Sequence, residues 1–256
     1  MAVERLYVIL CGYEVVPKSI CVAGGNPNFM LCVPICTYLL KTSLGWVLLD
    51  TGFDPRHIAA DQDRNRNFDA HGVTPPIIRA GHDLADQLAS LGLSRSDIEH
   101  VVISHLHYDH SGYIKHLPDA IVHVQKSEYE HAMSCDTFGY MRADYDSDAV
   151  RWQFHMGDWS LVDGLDFIAT PGHTPGHQSA IVTLAQSGSF ILTFDAGDLM
   201  ENFAREVPPG SAFDTQLALQ SIWRIRRLAD EGKMQLMLFH DPEQIQQIRL
   251  LPAFYD

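Results

Sequence analysis

Residues 101–110 have the sequence VVISHLHYDH, in which a short apolar run leads directly into histidines and an aspartate. The run Val101–Ser104 is typical of a buried β-strand. Imidazole nitrogens and carboxylate oxygens are the ligands that zinc and related divalent cations take in hydrolytic sites. Four such groups within six residues, directly after a strand, are difficult to explain as core packing. The stretch therefore predicts a metal site at a sheet edge, with His105, His107, Asp109 and His110 as candidate ligands.

Three more polar residues lie at the ends of predicted strands. His173 lies in the turn TPGHTPGH (170–177), while Asp195 and His240 directly follow the apolar runs 190–194 and 236–239. Loops at strand ends commonly carry functional side chains. Taken alone, His173 or His240 is more readily explained as an ordinary histidine, but beside the 105–110 cluster both are predicted ligands, together with Asp195. Asp50, which ends another apolar run, is predicted either to orient a ligand histidine or to hold a loop through hydrogen bonds.

Strand-length apolar runs recur along the whole chain and alternate with helical spacing. Predicted helices cover 84–91 and 218–229; the second has Ser211 or Asp214 as N-cap and ends near Gly232. This mixture favours sheets with helices packed outside them, within a single domain of residues 1–256. Segments 58–70 and 134–158 are predicted to be surface loops or insertions. The predicted strands are 6–10, 35–40, 46–50, 101–104, 121–125, 167–170, 180–184, 190–195 and 236–239.

Charge and cysteine content exclude several classes of protein. The 256 residues contain 18 Lys and Arg against 32 Asp and Glu, a formal charge of −14. This balance argues against a nucleic-acid-binding surface and against a basic membrane-docking face. Five cysteines without a C-x-x-C pair favour neither a disulfide framework nor a zinc ribbon. The first residues are typical of a strand rather than of a signal peptide, so we expect a cytoplasmic protein.

The pattern H-x-H-x-D-H, followed by a Gly-His-Thr turn, a strand-end Asp and a strand-end His, resembles the metallo-β-lactamase superfamily. The segment from FDAGDLMENF (194–203) to FHDPEQ (239–244) resembles the N-acyl-homoserine lactonase branch in particular. The resemblance implies an α/β fold, an αββα sandwich of two mixed β-sheets flanked by helices. It also implies two divalent cations per chain, expected to be Zn²⁺. One is held by His105, His107 and His173, the other by Asp109, His110 and His240, and Asp195 bridges them.

The same resemblance implies a reaction. A hydroxide that bridges the two cations attacks the lactone carbonyl carbon, and one cation stabilises the developing oxyanion. Asp109 is expected to pass a proton to the ring oxygen as it leaves, so Asp109 and Asp195 are the predicted catalytic residues. The function implied is the ring opening of N-acyl-homoserine lactones, which is quorum quenching.

Four residues are predicted to contact the substrate. Tyr108 lies within the ligand motif and is predicted to form an aromatic wall, although simple packing beside the site explains it equally well. Asp198 stands where many lactonases of this branch carry a tyrosine, and a carboxylate cannot replace the donor function of a phenol unless it is protonated. Phe29 and Met30, in a predicted mobile loop, are predicted to touch an acyl chain, although simple packing explains them equally well.

The sequence is also compatible with other functions. Within hydrolysis, the alternatives are another small lactone, such as 4-pyridoxolactone or a γ-lactone, and a glyoxalase-II-like thioesterase. The thioesterase resembles a longer design with a C-terminal helical domain, and only 16 residues follow His240. The non-enzyme alternative is a di-iron redox or metal-binding module. The expected partner is a small-molecule lactone rather than nucleic acid or membrane, and a homodimer is compatible with the sequence.

Overall fold

The computed structural model describes residues 2–256, which form two mixed β-sheets. The strands of the first sheet are β1 (Val3–Pro17), β2 (Met30–Thr42), β3 (Gly45–Leu49), β4 (Ile98–Val102), β5 (Ile121–Gln125) and β6 (Arg151–His155). Those of the second are β7 (Trp159–Val162), β8 (Leu165–Ala169), β9 (Gln178–Leu184), β10 (Gly188–Leu192) and β11 (Gln235–Met237). The helices outside the sheets are α1 (Lys18–Cys21), α2 (Asp61–Asn67), α3 (Leu84–Ser90), α4 (Tyr108–Ser111), α5 (Lys126–Ser134), α6 (Met200–Arg205) and α7 (Thr215–Gly232).

Strand order follows chain order in both sheets. In the first, β1, β2 and β3 pair antiparallel, and β3 through β6 pair parallel. In the second, β7 through β10 pair antiparallel and β11 adds to β10 in parallel. Both sheets are therefore mixed, and with the helices outside them the predicted sandwich is confirmed.

Alternation along the strands explains where the core lies. On β9, Ala180 and Val182 join the main core between the sheets, whereas Ile181 packs on the other side with the residues facing α7. This period of two is expected of a strand buried on both faces. Helix α7 begins where the Asp214 carboxylate accepts hydrogen bonds from two backbone N–H groups, and it buries Ile222 and Ile225 against the second sheet. The predicted helix and its Asp214 cap are confirmed.

Two segments predicted to be loops contain regular structure. Helix α2 lies within 58–70 and strand β6 within 134–158. Neither buries a residue fully, because α2 is a short polar surface helix and β6 is an edge strand. Their sequences therefore lack the apolar runs that identified the other strands. Among residues 2–256, no helix is both long enough and apolar enough to span a membrane.

Candidate metal centre

Seven side chains converge at one edge of the sandwich, each carried by the loop after a strand. The loop after β4 and the start of α4 supply four of them, and the turn between β8 and β9 supplies His173. Asp195 and His240 follow β10 and β11. All seven are buried or nearly so. The strands that precede them lie far apart in the sequence. The seven are His105, His107, Asp109, His110, His173, Asp195 and His240.

The first trio consists of imidazoles. His107 Nδ1 lies 3.0 Å from His105 Nε2 and 3.1 Å from His173 Nε2. His173 reaches this position because Gly172, with a φ of 137°, packs against α7 so closely that a β-carbon would overlap the backbone of Ala218. Three ring nitrogens that converge within 4.8 Å form a ready set of ligands for one cation.

The second trio places a carboxylate between two imidazoles. Asp109 Oδ2 lies 3.2 Å from His110 Nε2 and 3.4 Å from His240 Nε2. Asp195 stands between the trios: its Oδ2 lies 3.3 Å from His173 Nε2, and its Oδ1 lies 3.3 Å from His110 Nε2. One carboxylate therefore faces both ligand sets, as a bridging ligand would.

Outer hydrogen bonds fix which nitrogen each histidine presents to the site. His110 Nδ1 donates to Asp50 Oδ2 at 2.7 Å, and His240 Nδ1 donates to the Pro34 carbonyl at 2.8 Å. Both rings therefore turn Nε2 and its lone pair inwards. Asp50, held by Ser104 through two bonds of 2.7 Å, has a φ of 56°, which aspartate tolerates better than most residues. The predicted supporting role of Asp50 is confirmed.

His177 supports Asp195 in the same way. The Asp195 backbone N–H donates to His177 Nε2 at 3.1 Å, and His177 Nδ1 donates to the Thr170 carbonyl at 3.1 Å. This pair of bonds requires a neutral ring, and burial lowers the pKa of His177 to about 4. The ring therefore stays neutral at physiological pH and holds the Asp195 loop against the 170–177 turn.

The inner groups polarise one another. Burial lowers the pKa of His110, but the Asp109, Asp195 and Asp50 carboxylates outweigh it, so the pKa of this ring lies well above its usual value. A cation bound at Nε2 would take the place of the proton that these carboxylates otherwise stabilise there. Burial raises the pKa of Asp195, but His110 and His240 outweigh it, and the pKa of this carboxyl lies well below its usual value. The carboxylates therefore remain ionised and are available as anionic ligands.

Glu128 was not found from the sequence, yet it joins the two ligand loops. Its fully buried carboxylate accepts a bond from the Leu106 N–H at 2.9 Å, from the Thr174 hydroxyl at 2.6 Å and from the Gly176 N–H at 3.1 Å. The first donor belongs to the loop after β4 and the other two to the 170–177 turn. Glu128 therefore sets the distance between His105 or His107 and His173.

A cavity of about 480 Å³ opens above these residues. Tyr108, Asp198 and Met30 line it, and so does Glu14, a further polar residue for which the sequence carried no signal. Phe29 is not brought to this cavity; it is 55% exposed and lines a neighbouring depression beside Lys18 and Glu201. Away from the metal ligands the wall is mainly apolar, formed by Val16, Pro17, Ile20, Val33, Val73 and Phe138.

The donor set itself tests whether cations fit here. Among the side chains of residues 2–256, His110 Nε2 and Asp195 Oδ1 are buried and have no hydrogen-bond partner, yet they lie 3.3 Å apart. Buried polar atoms without partners are costly, and their lone pairs converge on common points. The two trios and the shared carboxylate fit two divalent cations.

Comparisons with known proteins agree with this geometry. Residues 32–227 match the sequence model described as "Metallo-beta-lactamase superfamily". The N-acyl homoserine lactonase AiiA of Bacillus thuringiensis subsp. kurstaki is 32% identical over 258 residues, which cover 99% of this chain and all of that protein. The N-acyl homoserine lactonase AttM of Azorhizobium caulinodans is 33% identical over 233 residues, 88% of each chain.

Solved structures agree as well. A crystal structure of a B. thuringiensis AiiA mutant, with N-decanoyl-L-homoserine bound at its active site, superposes with a TM-score of 0.91 at 32% identity and covers both chains completely. An N-acyl homoserine lactone hydrolase, with the product N-hexanoyl-L-homoserine at its catalytic metal centre, gives the same TM-score, identity and coverage.

Proposed function

The chain belongs to the metallo-beta-lactamase superfamily, and we propose that it is a metal-dependent lactonase that opens the ring of N-acyl-homoserine lactones and so quenches quorum-sensing signals. The observation that carries the proposal is the pair of buried ligand trios that share Asp195 at the floor of a cavity with a mainly apolar wall. Such a site offers polar chemistry at one end and space for an acyl chain at the other.

We assign His105, His107 and His173 to one cation and Asp109, His110 and His240 to the other, with Asp195 shared. Neutral imidazoles and carboxylates favour Zn²⁺ over the harder ions, which prefer oxygen ligands alone. When bound, the two cations polarise the ester carbonyl and lower the pKa of water in the site.

Asp109 is the group placed to move the proton. Its Oδ2 faces His110 and His240, and its carboxyl lines the cavity. Burial raises the pKa of Asp109, but His110 and His240 outweigh it and hold the pKa below its usual range, so the carboxylate is ionised before the reaction and passes on readily any proton that it takes up. Hydrolysis needs this transfer: the attacking water loses a proton, the ring C–O bond breaks, and the leaving oxygen gains a proton to become the hydroxyl of the hydroxy acid.

The polar groups around the ligands position the ester. Tyr108 is packed edge-on against Phe53 and Phe68, which fixes its ring at the cavity wall. Asp198 lies where relatives of this branch are expected to carry a tyrosine; burial and the nearby Asp195 carboxylate raise its pKa well above the usual value. A protonated Asp198 carries an O–H and can act as a donor within the cavity.

A substrate panel tests the proposal. Zn²⁺-loaded protein is incubated with N-hexanoyl- and N-decanoyl-homoserine lactone, γ-butyrolactone, 4-pyridoxolactone and S-lactoylglutathione. A pH indicator follows proton release, with Asp195→Asn as the inactive control. We expect the highest kcat/KM with the N-acyl-homoserine lactones. A higher kcat/KM with the thioester or with 4-pyridoxolactone would replace this function by that one, and no hydrolysis of any substrate would refute an enzymatic role.

A further inference from the structure

Glu14 is a buried carboxyl group that the ligand assignment leaves unused. It lies on β1, is 9% exposed and lines the cavity above the metal ligands. None of the salt bridges within residues 2–256 includes it. Its polar neighbours are the Tyr108 hydroxyl, Asp109 and His240, so it lies at the end of the cavity next to the second ligand trio. The Tyr108 hydroxyl is within hydrogen-bonding reach of this carboxyl group, but a carboxyl group can accept several hydrogen bonds, so Glu14 can also bind a donor from outside the chain.

The chain that follows Glu14 gives the cavity a direction. Glu14, Val15 and Val16 all line the cavity, so the end of β1 runs along its wall, with Glu14 and Val16 about 7 Å apart along the strand. Beyond Val16 the wall continues with Pro17, Ile20 and Met30. From the ligands outwards, the cavity therefore presents first a carboxyl group and then a continuous apolar wall.

We propose that Glu14 is a specificity-determining residue that accepts a hydrogen bond from the amide N–H of an N-acyl-homoserine lactone. The inference rests on the proposed function and deepens it. In this substrate class the amide N–H is attached to the ring carbon next to the ester carbonyl, and the alkyl chain extends beyond it. The substrate thus carries its ester, its N–H group and its alkyl chain in the same order in which the cavity presents the metal ligands, Glu14 and the apolar wall.

The chemistry of the carboxyl group makes this contact selective. A carboxyl group keeps at least one acceptor oxygen whether or not it is protonated. A lactone with a plain alkyl substituent would displace water from Glu14 and leave that oxygen without a partner, which costs free energy at a buried site. Sites built to hydrogen-bond a substrate group discriminate strongly against analogues that lack it. Glu14 should therefore favour amide-substituted lactones over alkyl-substituted ones of equal length.

The test compares two lactones, one with and one without the amide group that carries the N–H, and the Glu14 variants separate the N–H contact from any contact of the amide carbonyl. N-hexanoyl-homoserine lactone and α-heptyl-γ-butyrolactone carry substituents of equal chain length at the same ring carbon. The kcat and KM for both are measured with wild type, Glu14→Leu, which removes the acceptor at similar size, and Glu14→Gln, which keeps an acceptor oxygen. Bound metal is measured for every variant.

We expect wild type to prefer the amide lactone at least tenfold in kcat/KM. Glu14→Leu should lower kcat/KM for the amide lactone by about 10- to 100-fold, as expected for a hydrogen bond to a carboxylate. It should leave kcat/KM for the alkyl lactone equal to or above the wild-type value, because no buried oxygen then loses its partner. Glu14→Gln should keep the preference within about threefold of wild type.

Parallel losses on both lactones, with metal retained, would overturn the inference and leave the proposed function intact. Equal kcat/KM values for the two lactones in wild type would overturn it as well, and this comparison stands even when Glu14→Leu does not fold. Failure of wild type, with two metals bound, to open either lactone would overturn the proposed function and the inference with it.

Discussion

Replacing Glu128 by glutamine removes the connection between the two ligand loops. The wild-type carboxylate accepts three bonds of 3.1 Å or shorter, from Leu106, Thr174 and Gly176. A glutamine oxygen can still accept from Leu106, and the Thr174 hydroxyl can rotate, but the amide NH₂ then faces the Gly176 N–H. One buried donor is left facing another donor, which costs about 2–3 kcal/mol. Glu128→Leu leaves all three donors unsatisfied, for a loss of roughly 3–6 kcal/mol.

The assay is urea unfolding at pH 7.5, carried out on metal-loaded protein and on protein stripped with a chelator. Because the loss arises from hydrogen bonds within the chain, it should persist in the stripped protein. Metal-loaded Glu128→Gln should also release metal more readily to a weak chelator, since His173 is no longer held against His105 and His107. Glu130→Gln is the matched control: the residue lies on the same helix, is exposed and, among residues 2–256, forms its salt bridge with Lys126 at 3.6 Å. This control should stay within about 0.5 kcal/mol of wild type.

If Glu128→Gln were as stable as Glu130→Gln and held its metal equally well, the role of Glu128 as the link between the loops would be refuted.

Three further predictions concern the site and the fold. Asp198→Asn should keep kcat/KM for N-hexanoyl-homoserine lactone within about tenfold of wild type (~1.4 kcal/mol), whereas Asp195→Asn should lower it by more than about 100-fold. If Asp198→Asn bound two metals but lost its activity, Asp198 would have a direct role in the reaction. Burial raises the pKa of the Cys36 thiol to about 12, so the thiol stays protonated and is not a nucleophile. Cys36→Ser should therefore lower stability but keep kcat within about threefold of wild type. Complete loss of turnover with the bound metal intact would contradict this. Burial, assisted by neighbouring histidines, lowers the pKa of His123 to about 3. Below pH 6.5 this histidine is therefore protonated in the unfolded chain but not in the folded protein. The free energy of unfolding falls by up to about 1.4 kcal/mol per pH unit as the pH drops towards 3. His123→Gln should flatten this slope, and an unchanged slope in urea unfolding at several pH values would refute the prediction.

The strands and the ligand clusters were predictable because their signals are local. A buried strand needs a run of apolar residues, and a metal ligand at a strand end interrupts such a run with His or Asp. The sequence 101–110 contains both signals side by side, and the runs before Asp195 and His240 repeat them. Strand β6 was not predicted, because it lies at the edge of its sheet and buries none of its five residues fully. The edge strands β1 and β11 contain apolar runs, whereas the sequence of β6, RWQFH, contains none that would identify a strand.

The supporting carboxylates could not be found in this way. Glu128 lies in KSEYEH, which has the composition of a solvated helix face, and only the packing of two distant loops buries it. Glu14 follows an apolar run on β1 and could equally have faced solvent. The position of Phe29 outside the cavity could not be predicted either. Its neighbour Met30 begins β2 and reaches the cavity, whereas Phe29 ends the preceding turn. Such placements depend on contacts between segments far apart in the chain.

The most direct test of a dinuclear lactonase is to titrate stripped protein with Zn²⁺ and to follow the opening of N-hexanoyl-homoserine lactone at each step. The two trios share Asp195, so the full set of groups is in place only when both are occupied. Activity should therefore rise to its maximum at two equivalents of Zn²⁺ per chain, and His110→Ala, which lacks a ligand of the second trio, should bind fewer ions and stay far below wild type. Full activity at one equivalent, or activity that survives removal of all metal, would contradict the account.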